Sequence, residues 1–361
     1  MKFIEGTRIS FPGLHIGEFN PPVGISITDN FSIQFYGIII ALGLLLSVYY
    51  GIKRSRQFGL REDDILDGVL WIVPLSIICA RAYYCILEWD SYKENPISVL
   101  YIWEGGLAIY GGVIGAAIGT VIHCMIKKIK LPAVLDLVAI SFLIGQFIGR
   151  WGNFFNREAF GSYCDSIFAM RIAESHLIVP PDATEQFKAA VELLETKAIE
   201  GGYVGFIQVH PTFLYESLWN VVGFVALHFL SKKRQYDGQM ALGYVAWYGL
   251  GRTFIEGLRM DSLYWGDLRF SQILAAITCF VAVGILLYMA FRKHDRAKLY
   301  GNVMAETLAA EAEAAAKAKA EKKTCKCKQT AAPTEETPAE EAPAEEAPAE
   351  EAPAQEPTTE E

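Results

Sequence analysis

The sequence predicts an all-α polytopic membrane protein with seven transmembrane helices, a small extracytoplasmic insert and a disordered tail. Apolar residues make up 52% of its 361 residues, and they fall in separate runs of about 18 or more, the length that spans a bilayer. Clusters of Lys and Arg follow the first, third, fifth and seventh runs, which predicts a defined orientation. Residues 301–361 instead hold 15 Glu and 6 Lys with repeated Pro, a composition typical of disorder.

The seven spans follow one another through short connections, apart from one insert. We place them at roughly 33–52, 66–88, 107–126, 133–155, 211–230, 240–259 and 270–291. Lys and Arg near span ends stay in the cytoplasm, so the basic clusters predict the cytoplasmic side: 53–56, 127–130, 231–234 and 292–298. The N-terminus and the insert of about 157–210 are then expected outside, and the tail inside.

The second span contains an arginine, Arg81. A charged side chain at the centre of a span costs roughly 2.5–3.5 kcal/mol, so it normally faces an interior cavity or a partner. Arg81 is therefore a candidate functional residue. Asp67, near the inner end of the same span, is expected to be a cap or a structural partner rather than a reactant.

The third span opens with "WEGGLAIYGGVIG" (103–115), in which Tyr110 precedes Gly111 and Gly112. Glycines at these positions allow a ligand or another backbone to approach closely. Close packing of small residues against a neighbouring helix is the alternative.

The fourth span ends in the polar stretch "GRWGNFFNREAFG" (149–161). At about 100° per residue, one helix face carries three polar side chains: Gln146, Arg150 and Asn153. The insert that follows contains "PPDATEQFKAAVELLETKAIEGG", which predicts a short helix. This helix would either guide a protein substrate or serve as a lid or connector.

The fifth span begins at His210-Pro211, where a role for His210 in helix entry is favoured over catalysis. The sixth span, in "GYVAWYGLGRTFIEGLRMD", presents a polar stripe. Four of its residues fall within about 80° of one another: Tyr248, Arg252, Glu256 and Arg259. An Arg252–Glu256 pair that only stabilises the helix is the structural alternative.

The candidate residues of the different spans are expected at a similar depth in the bilayer. With the cytoplasmic side fixed, the arginines of the second, fourth and sixth spans lie in the outer halves of their spans, and Tyr110 lies near the outer start of the third. Arginines with Asn and Tyr donors between them suit a phosphate, because guanidinium forms paired hydrogen bonds and stays charged. The pattern therefore predicts a phospholipid headgroup site toward the outer leaflet.

Neither the acidic tail nor the histidines and cysteines indicate a further reactive site. We place the membrane domain at 1–300 and the acidic tail at 301–361, where a helix over 303–323 precedes a "PAEEA" repeat. A solvated tail and a partner-binding tail both fit this composition. The histidines are scattered, and "CKC" at 325–327 lacks a second ligand pair, so no metal and no cofactor are expected. Nothing indicates a nucleic-acid partner.

The stretch "GRWGNFFNREAFG" (149–161) strongly resembles the signature of the prolipoprotein diacylglyceryl transferases, which runs Gly-Arg-x-Gly-Asn-Phe-x-Asn-x-Glu and ends in glycine. Four further segments share the resemblance: "ARAYY" (80–84), "WEGGLAIYGG" (103–112), "HPTFLYE" (210–216) and "YGLGRTFIEGLRMD" (248–261). It covers most of residues 30–291 and leaves the acidic tail outside.

The resemblance implies a transferase of the bacterial cell membrane. Such an enzyme moves the diacylglyceryl group of phosphatidylglycerol onto the lipobox cysteine in the signal peptide of a prolipoprotein, which forms a thioether and releases glycerol 1-phosphate. This is the first step of bacterial lipoprotein maturation. The implied partners are phosphatidylglycerol, the prolipoprotein and the surrounding membrane lipids.

The resemblance also implies site residues. Signature positions are matched by Arg150, Asn153, Glu158 and Gly161, and further functional positions by Tyr36, Tyr248, Arg252 and Glu256. Many members have histidine where this chain has Tyr110. Because phenols ionise only near pH 10, a positioning role is favoured for Tyr110 over that of a base.

The helix faces and the resemblance together predict one site. The expected catalytic residues are Arg150, Arg252, Tyr110 and Glu256. The expected substrate-binding residues are Arg150, Asn153, Glu158, Gly161, Tyr36, Arg81, Tyr248, Gly111 and Gly112. The proton of the attacking thiol goes to Glu256, to Glu158 or to interfacial water, and Glu158 equally fits a structural role beside Arg150.

Three other classes of protein compete with this interpretation. A transporter would show repeated halves or paired broken helices, and an intramembrane protease would show a catalytic pair within the spans. Neither pattern is convincing in this sequence. A membrane scaffold would leave the cost of the buried arginines unexplained.

Overall fold

A computed structural model of the protein describes residues 2–28, 31–102, 105–176, 185–260, 264–265 and 268–329. The chain forms two compact units, residues 1–310 and 311–361. The first unit is mostly helical and holds every element before the last helix. The described part of the second unit belongs to that last helix.

Helices dominate the described residues. They are α1 (Phe35–Arg54), α2 (Glu62–Leu87), α3 (Trp89–Tyr92), α4 (Ile109–Lys127), α5 (Leu131–Asn156), α6 (Glu185–Glu200), α7 (Thr212–Leu230), α8 (Gln239–Glu256), α9 (Phe270–Ala290) and α10 (Tyr300–Gln329). Within the described ranges, 6 helices are long and apolar enough to cross a membrane, namely α1, α2, α4, α5, α7 and α9. The predicted class of a helical polytopic membrane protein is confirmed.

Helix α8 corresponds to the predicted span 240–259 but is not among those six. Its polar stripe lowers its apolar content, and the helix packs against α5, α7 and α9, so neighbouring helices rather than lipid can cover much of it. A seventh span here stays a prediction. The helix also ends sooner than expected, at Glu256, and Arg259 forms an extended bridge with Gly161. The predicted helical position of Arg259 is therefore wrong.

The long helices pack in pairs, and α5 contacts several of them. Helix α5 contacts α1, α7 and α8, while α2 packs against α4 and α8 against α9. A Cβ on Gly111 would lie only 2.5 Å from the Cβ of Tyr83 and within contact of the Cys79 carbonyl. Gly111 is thus required for the close approach of α4 to α2, whereas a Cβ on Gly112 would meet ordinary contacts. Asp67 of α2 pairs with Lys127 of α4, as the structural-partner interpretation predicts.

Small antiparallel sheets, which the sequence analysis does not predict, cover one end of the bundle. The first sheet has the order β1 (Lys2–Ile4), β4 (Gly24–Thr28) and β5 (Phe31–Gln34). The second has the order β3 (Ile16–Phe19), β2 (Ile9–Phe11), β6 (Met170–Ala173) and β7 (Phe206–Val209). A two-stranded ribbon joins β8 (Tyr264–Trp265) to β9 (Leu268–Arg269).

The second sheet joins the N-terminal segment to the insert. Ile9 pairs with Ile172 across the two segments, and helix α6 packs against β7. Their shared core is fully buried and includes Ile9, Ile172, Leu194, Ile207 and Val209. The predicted short helix of the insert is confirmed as α6.

At the opposite end of the bundle, Asp136 of α5 holds the start of α8. Its carboxylate is fully buried and accepts the backbone N–H groups of Gly238, Met240 and Ala241 at 2.9, 2.8 and 2.9 Å. These are donors that a helix leaves without partners in its first turn. Asp136 therefore fixes α8 against α5 from another helix.

The C-terminal segment begins as an anchored helix. The N–H of Tyr300 donates to Asp237 Oδ2 at 3.0 Å, and Leu299 and Leu308 are buried. Helix α10 includes the helix predicted over 303–323 and begins at Tyr300. The "PAEEA" repeats lie outside the described residues.

Candidate active site

Three helix ends meet at the sheet-covered end of the bundle. Arg150 lies in the last turns of α5, Glu216 in the first turns of α7, and Arg252 near the end of α8. Because α7 runs opposite to α5 and α8, its start lies beside their ends. The polar faces predicted for α5 and α8 are thereby brought together.

Glu216 lies at the centre of this meeting point. Its Oε2 lies 2.6 Å from Arg150 Nη2, and its Oε1 lies 3.3 Å from Arg252 Nη1 and 3.7 Å from Arg259 Nη1. The Glu216 side chain is only 6% exposed. One buried carboxylate therefore orients guanidinium groups from three separate segments. Glu216 is not among the residues predicted from the sequence. Its one signal is its position as the last residue of "HPTFLYE".

Glu256 holds the second side of Arg252. Its Oε2 lies 2.6 Å from Arg252 Nη2, and its side chain is 3% exposed. The predicted Arg252–Glu256 pair is confirmed. Arg252 is thus fixed between two carboxylates, with its planar guanidinium in one orientation.

The ion pairs at this meeting point leave the guanidinium groups more exposed than the carboxylates. Three guanidinium groups face two carboxylates: Arg150, Arg252 and Arg259 against Glu216 and Glu256. The arginine side chains keep 22%, 18% and 12% of their surface exposed, while both carboxylates are almost fully covered. The accessible part of these ion pairs is therefore guanidinium, which is suited to an anionic group.

Asn153 continues the network from Arg150 toward solvent. Arg150 Nη1 donates to Asn153 Oδ1 at 3.2 Å, and Asn153 Nδ2 donates to Glu158 Oε1 at 2.9 Å. Glu158 is exposed and also accepts from Asn156 Nδ2 at 3.4 Å. The signature residues thus form one hydrogen-bonded line from the buried cluster to the surface.

Arg157 produces the turn that brings Glu158 back to Asn153. It has a φ of +53° at the end of α5, and the N–H of Glu158 donates to the Asn153 carbonyl at 3.0 Å. Its buried guanidinium donates to the carbonyls of Thr7 and Pro21, which ties the N-terminal segment to α5. Burial lowers the pKa of Arg157 to about 10, so it stays charged at neutral pH. Arg157 is not among the site residues predicted from the sequence.

Two of the expected tyrosines lie beside the cluster. The Tyr36 ring packs on Gly152, where a Cβ would lie 2.8 Å from the ring Cδ2. Tyr248 lines a small cleft between α7 and α8 together with Glu216, Asn220 and Arg252. Both therefore fit the predicted group of substrate contacts.

Gly161 lies where three chain segments cross. Its N–H donates to the His210 carbonyl at 2.9 Å, and it bridges to Arg259. A Cβ at this position would lie 2.6 Å from the Cβ of His210. Gly161 is needed for the close approach that places Arg259 next to Glu216. His210 also contacts Tyr215 (Nδ1 to OH, 3.3 Å) at the entry to α7, and burial lowers its pKa.

A reciprocal pair of tryptophans sets the register of α7 against α8. Trp219 and Trp247 stack at 4.2 Å, and each indole N–H donates to the other residue's carbonyl at 3.0 Å. Gly251 and Gly223 provide the space for these rings, since a Cβ on either would collide with an indole. This packing holds Arg252 opposite Glu216.

Arg81 has a different environment. All five of its N–H donors are used by backbone carbonyls, those of Val99, Gly105, Gly106, Ser98 and Tyr101. Its guanidinium also lies 5.2 Å from the Tyr92 ring centroid, and the residue is 5% exposed. This geometry favours a role in shaping the segment before α4.

Tyr110 lies near the start of α4 and is 52% exposed. Among the contacts of the described residues, none joins Tyr110 to Arg150 or Arg252. The described ranges also contain no group of three or more His, Cys, Asp or Glu that could hold a metal ion.

Comparisons with known proteins bear on this geometry. The family model described as "Prolipoprotein diacylglyceryl transferase" matches residues 22–288. Among curated proteins named phosphatidylglycerol--prolipoprotein diacylglyceryl transferase, one from Listeria monocytogenes is 42% identical over 267 residues, which covers 74% of this chain and 89% of that protein. One from Lysinibacillus sphaericus is 40% identical over 271 residues, with 75% and 93% covered. One from Bacillus licheniformis is 40% identical over 265 residues, with 73% and 91% covered.

Proposed function

The chain belongs to the prolipoprotein diacylglyceryl transferase family, and from this premise we propose that it transfers the diacylglyceryl group of phosphatidylglycerol to the lipobox cysteine of a prolipoprotein. This is the first step of bacterial lipoprotein maturation. The observation that supports it most is the partly exposed pair Arg150 and Arg252, both held by Glu216 at the end of an apolar helix bundle. An apolar bundle accommodates acyl chains, and the arginines accommodate a phosphate.

The proposed reaction is a displacement at carbon. The cysteine thiolate sulfur attacks the glyceryl carbon that carries the phosphate ester, and the bond between this carbon and the phosphate oxygen breaks. Glycerol 1-phosphate leaves with the electron pair, and the sulfur keeps the diacylglyceryl group as a thioether. The thiol proton is lost before or during the attack, because the thiolate is the nucleophile.

Arg150 and Arg252 are the proposed phosphate ligands. Negative charge grows on the phosphate oxygen as the ester bond breaks, and fixed guanidinium groups stabilise that charge without reorganising. Glu216 and Glu256 hold these groups in place, and so act on the reaction through the arginines. Asn153, Tyr248 and Tyr36 complete the headgroup contacts in this proposal.

Glu158 is the proposed acceptor of the thiol proton. It is exposed at the surface end of the network, whereas Glu216 and Glu256 are buried and paired with arginine. A signal peptide approaching from the surface reaches Glu158 first. Gly161 supports this surface by holding three segments together. Tyr110, Gly111, Gly112 and Arg81 are proposed to shape the neighbouring wall formed by α2 and α4.

We further propose that the chain spans the cell membrane seven times, with α8 as the sixth span, the N-terminus outside and the tail in the cytoplasm. The basic clusters after α1, α4, α7 and α9 support this orientation. The arginine cluster then lies toward the outer leaflet, where the signal-peptide cysteine emerges.

The test is a transfer assay with the purified protein in vesicles that contain phosphatidylglycerol and a lipobox peptide. The peptide should become heavier by one diacylglyceryl group, and glycerol phosphate should appear in equal amount. A peptide with serine in place of the cysteine should stay unmodified. Absence of both products with folded protein would disprove the proposed function.

Variants separate the proposed roles. Arg150→Ala and Arg252→Ala should abolish turnover, while Lys188→Ala, which removes a cation from an exposed pair on α6, should leave it unchanged. Tyr110→Phe removes only the phenol oxygen. Turnover close to that of the unaltered protein in this variant would exclude Tyr110 from proton transfer.

A further inference from the structure

A groove lies between α1, α5 and α7, and on α5 it reaches Ile148, two residues before Arg150. It has a volume of about 470 Å³ and is open along one side. Its walls are apolar and include Leu46, Ile148 and Phe224. All three helices are among those apolar enough to cross a membrane. Hydrocarbon is therefore the material that fits the walls.

One end of the groove is basic. Lys53, Arg54 and His228 line it, and none of the described residues that line the groove is acidic. Lys53 Nζ lies 5.6 Å from the Tyr49 ring centroid. Arg54 donates from Nη2 to Ser231 Oγ at 3.0 Å. The guanidinium is thus held in place at this end of the groove.

We propose that this groove binds an anionic phospholipid, with an acyl chain between α1 and α7 and its phosphate at Lys53 and Arg54. A free phosphate would leave the apolar walls unfilled, and a neutral lipid would leave two cations without a counter-charge. An anionic phospholipid satisfies both parts of the groove. The inference does not depend on the proposed transferase reaction.

The groove is distinct from the candidate active site. Tyr36, beside the arginine cluster, and Arg54, at the basic end of the groove, are both on α1. At about 1.5 Å of rise per residue, they lie about 27 Å apart along the helix axis. The two sites therefore take headgroups at opposite ends of the bundle.

The experiment uses a phosphatidylglycerol with a light-activated diazirine in one acyl chain. The full-length protein is placed in vesicles with this lipid, irradiated and digested, and labelled peptides are identified by mass spectrometry. Labelling is expected on the α1 and α7 segments that line the groove, and it should be reduced by unlabelled phosphatidylglycerol far more than by phosphatidylcholine. Equal competition by the two lipids would overturn the proposal, as would absence of label from these segments.

Two variants and a matched control test the contacts. The double variant Lys53→Gln, Arg54→Gln should lose about tenfold or more of the groove labelling, since each cation near an anionic headgroup contributes about a fivefold preference. The control Lys128→Gln, Lys293→Gln removes the same charge from exposed positions after α4 and α9 and should keep it. Leu46→Trp fills the groove without a change of charge and should also abolish labelling. Unchanged labelling in both groove variants would overturn the proposal.

Turnover in the transfer assay separates the two proposals. The double variant Lys53→Gln, Arg54→Gln should retain turnover within about twofold, because these side chains lie far from the arginine cluster. If the unaltered protein shows no transfer but labels in the groove, the proposed function fails and the lipid site stands. The reverse result overturns only the lipid site.

Discussion

Glu216 shows how a single residue sets the chemistry of the site. A long arginine side chain can adopt many orientations unless a partner fixes it. Glu216 lies within 4 Å of three arginines and fixes their orientations. Its burial strengthens these attractions, since the local dielectric is low. The proposed phosphate ligands are therefore preorganised before substrate arrives.

Replacing Glu216 by glutamine keeps the shape of the side chain and removes its charge. In Glu216→Gln, we expect turnover to fall about 100-fold, because guanidinium groups displaced by even about 1 Å lose much of their effect on the reaction. The transfer assay measures this loss. The unfolding temperature in detergent should also fall, because buried arginine charges lose their partner.

The matched control is Glu185→Gln, which makes the same change in an exposed pair on α6. It should leave both turnover and unfolding temperature unchanged. Normal turnover in folded Glu216→Gln would show that the arginines do not depend on this carboxylate.

His210 gives a prediction on pH. Burial lowers its pKa below the ordinary value of 6.5, so the unfolded chain binds a proton before the folded protein does as the pH falls. The contribution of His210 to stability is therefore complete above pH 6.5 and is lost as the pH falls through the lowered pKa. We expect the unfolding temperatures of the unaltered protein and of His210→Gln to converge between neutral and mildly acidic pH. Parallel curves would contradict this assignment.

Part of the site could be predicted from the sequence and part could not, for a physical reason. Helical periodicity aligned Arg252 with Glu256, which are partners on one helix. It did not identify Glu216, because the contact with Arg150 depends on the rotation and height of α7 against α5. No period within one helix encodes that register.

At the scale of elements, the register of α7 and α8 depends on Trp219, Trp247 and the glycines that receive them. The two indole rings occupy the space that side chains at Gly223 and Gly251 would take. Since interiors are packed to crystal-like density, a single added methyl group there cannot be absorbed without movement of a helix.

Gly251→Ala should therefore displace α8 from α7 by breaking the Trp219 contact. We expect overpacking to lower the free energy of unfolding by about 1–3 kcal/mol. Turnover should also fall clearly, because Arg252 is the next residue and moves with the helix. Thermal unfolding and the transfer assay measure the two effects. Gly284→Ala in α9 is the control, since a Cβ there meets nothing within 4 Å. Equal behaviour of the two variants would refute the register argument.

The same scale explains which elements were predictable. Six helices can be recognised in the sequence as long apolar runs, by length and composition: α1, α2, α4, α5, α7 and α9. The strands are 2 to 5 residues long, and β2 pairs with β6 about 160 residues away, through Ile9 and Ile172. So short a strand carries too little pattern to reveal so distant a partner.

At the scale of the whole molecule, the chain combines a membrane unit with an acidic extension. The formal net charge of −9 is carried entirely by residues 301–361. The family match ends at residue 288, so the extension lies outside the region shared with the family. The proposed reaction requires nothing from it.

The point at which the extension becomes dispensable follows from burial. Leu299 and Leu308 are 5% and 8% exposed, and the Tyr300 N–H donates to the Asp237 carboxylate, which Lys130 also contacts at 2.8 Å. The anchored part of α10 thus reaches beyond the boundary at 300 that composition suggests. The first compact unit ends at residue 310.

Two truncations test this boundary. Deletion of 311–361 should leave both the unfolding temperature in detergent and the turnover in the transfer assay unchanged, because no buried residue of the first unit is removed. Deletion of 299–361 should lower the unfolding temperature, since two buried leucines are lost, each worth about 1.5–3 kcal/mol when fully buried, and Asp237 loses a hydrogen-bond donor. Loss of turnover in the shorter deletion would give the acidic extension a direct part in the reaction. Equal stability of the two truncated proteins would show that the start of α10 does not support the membrane unit.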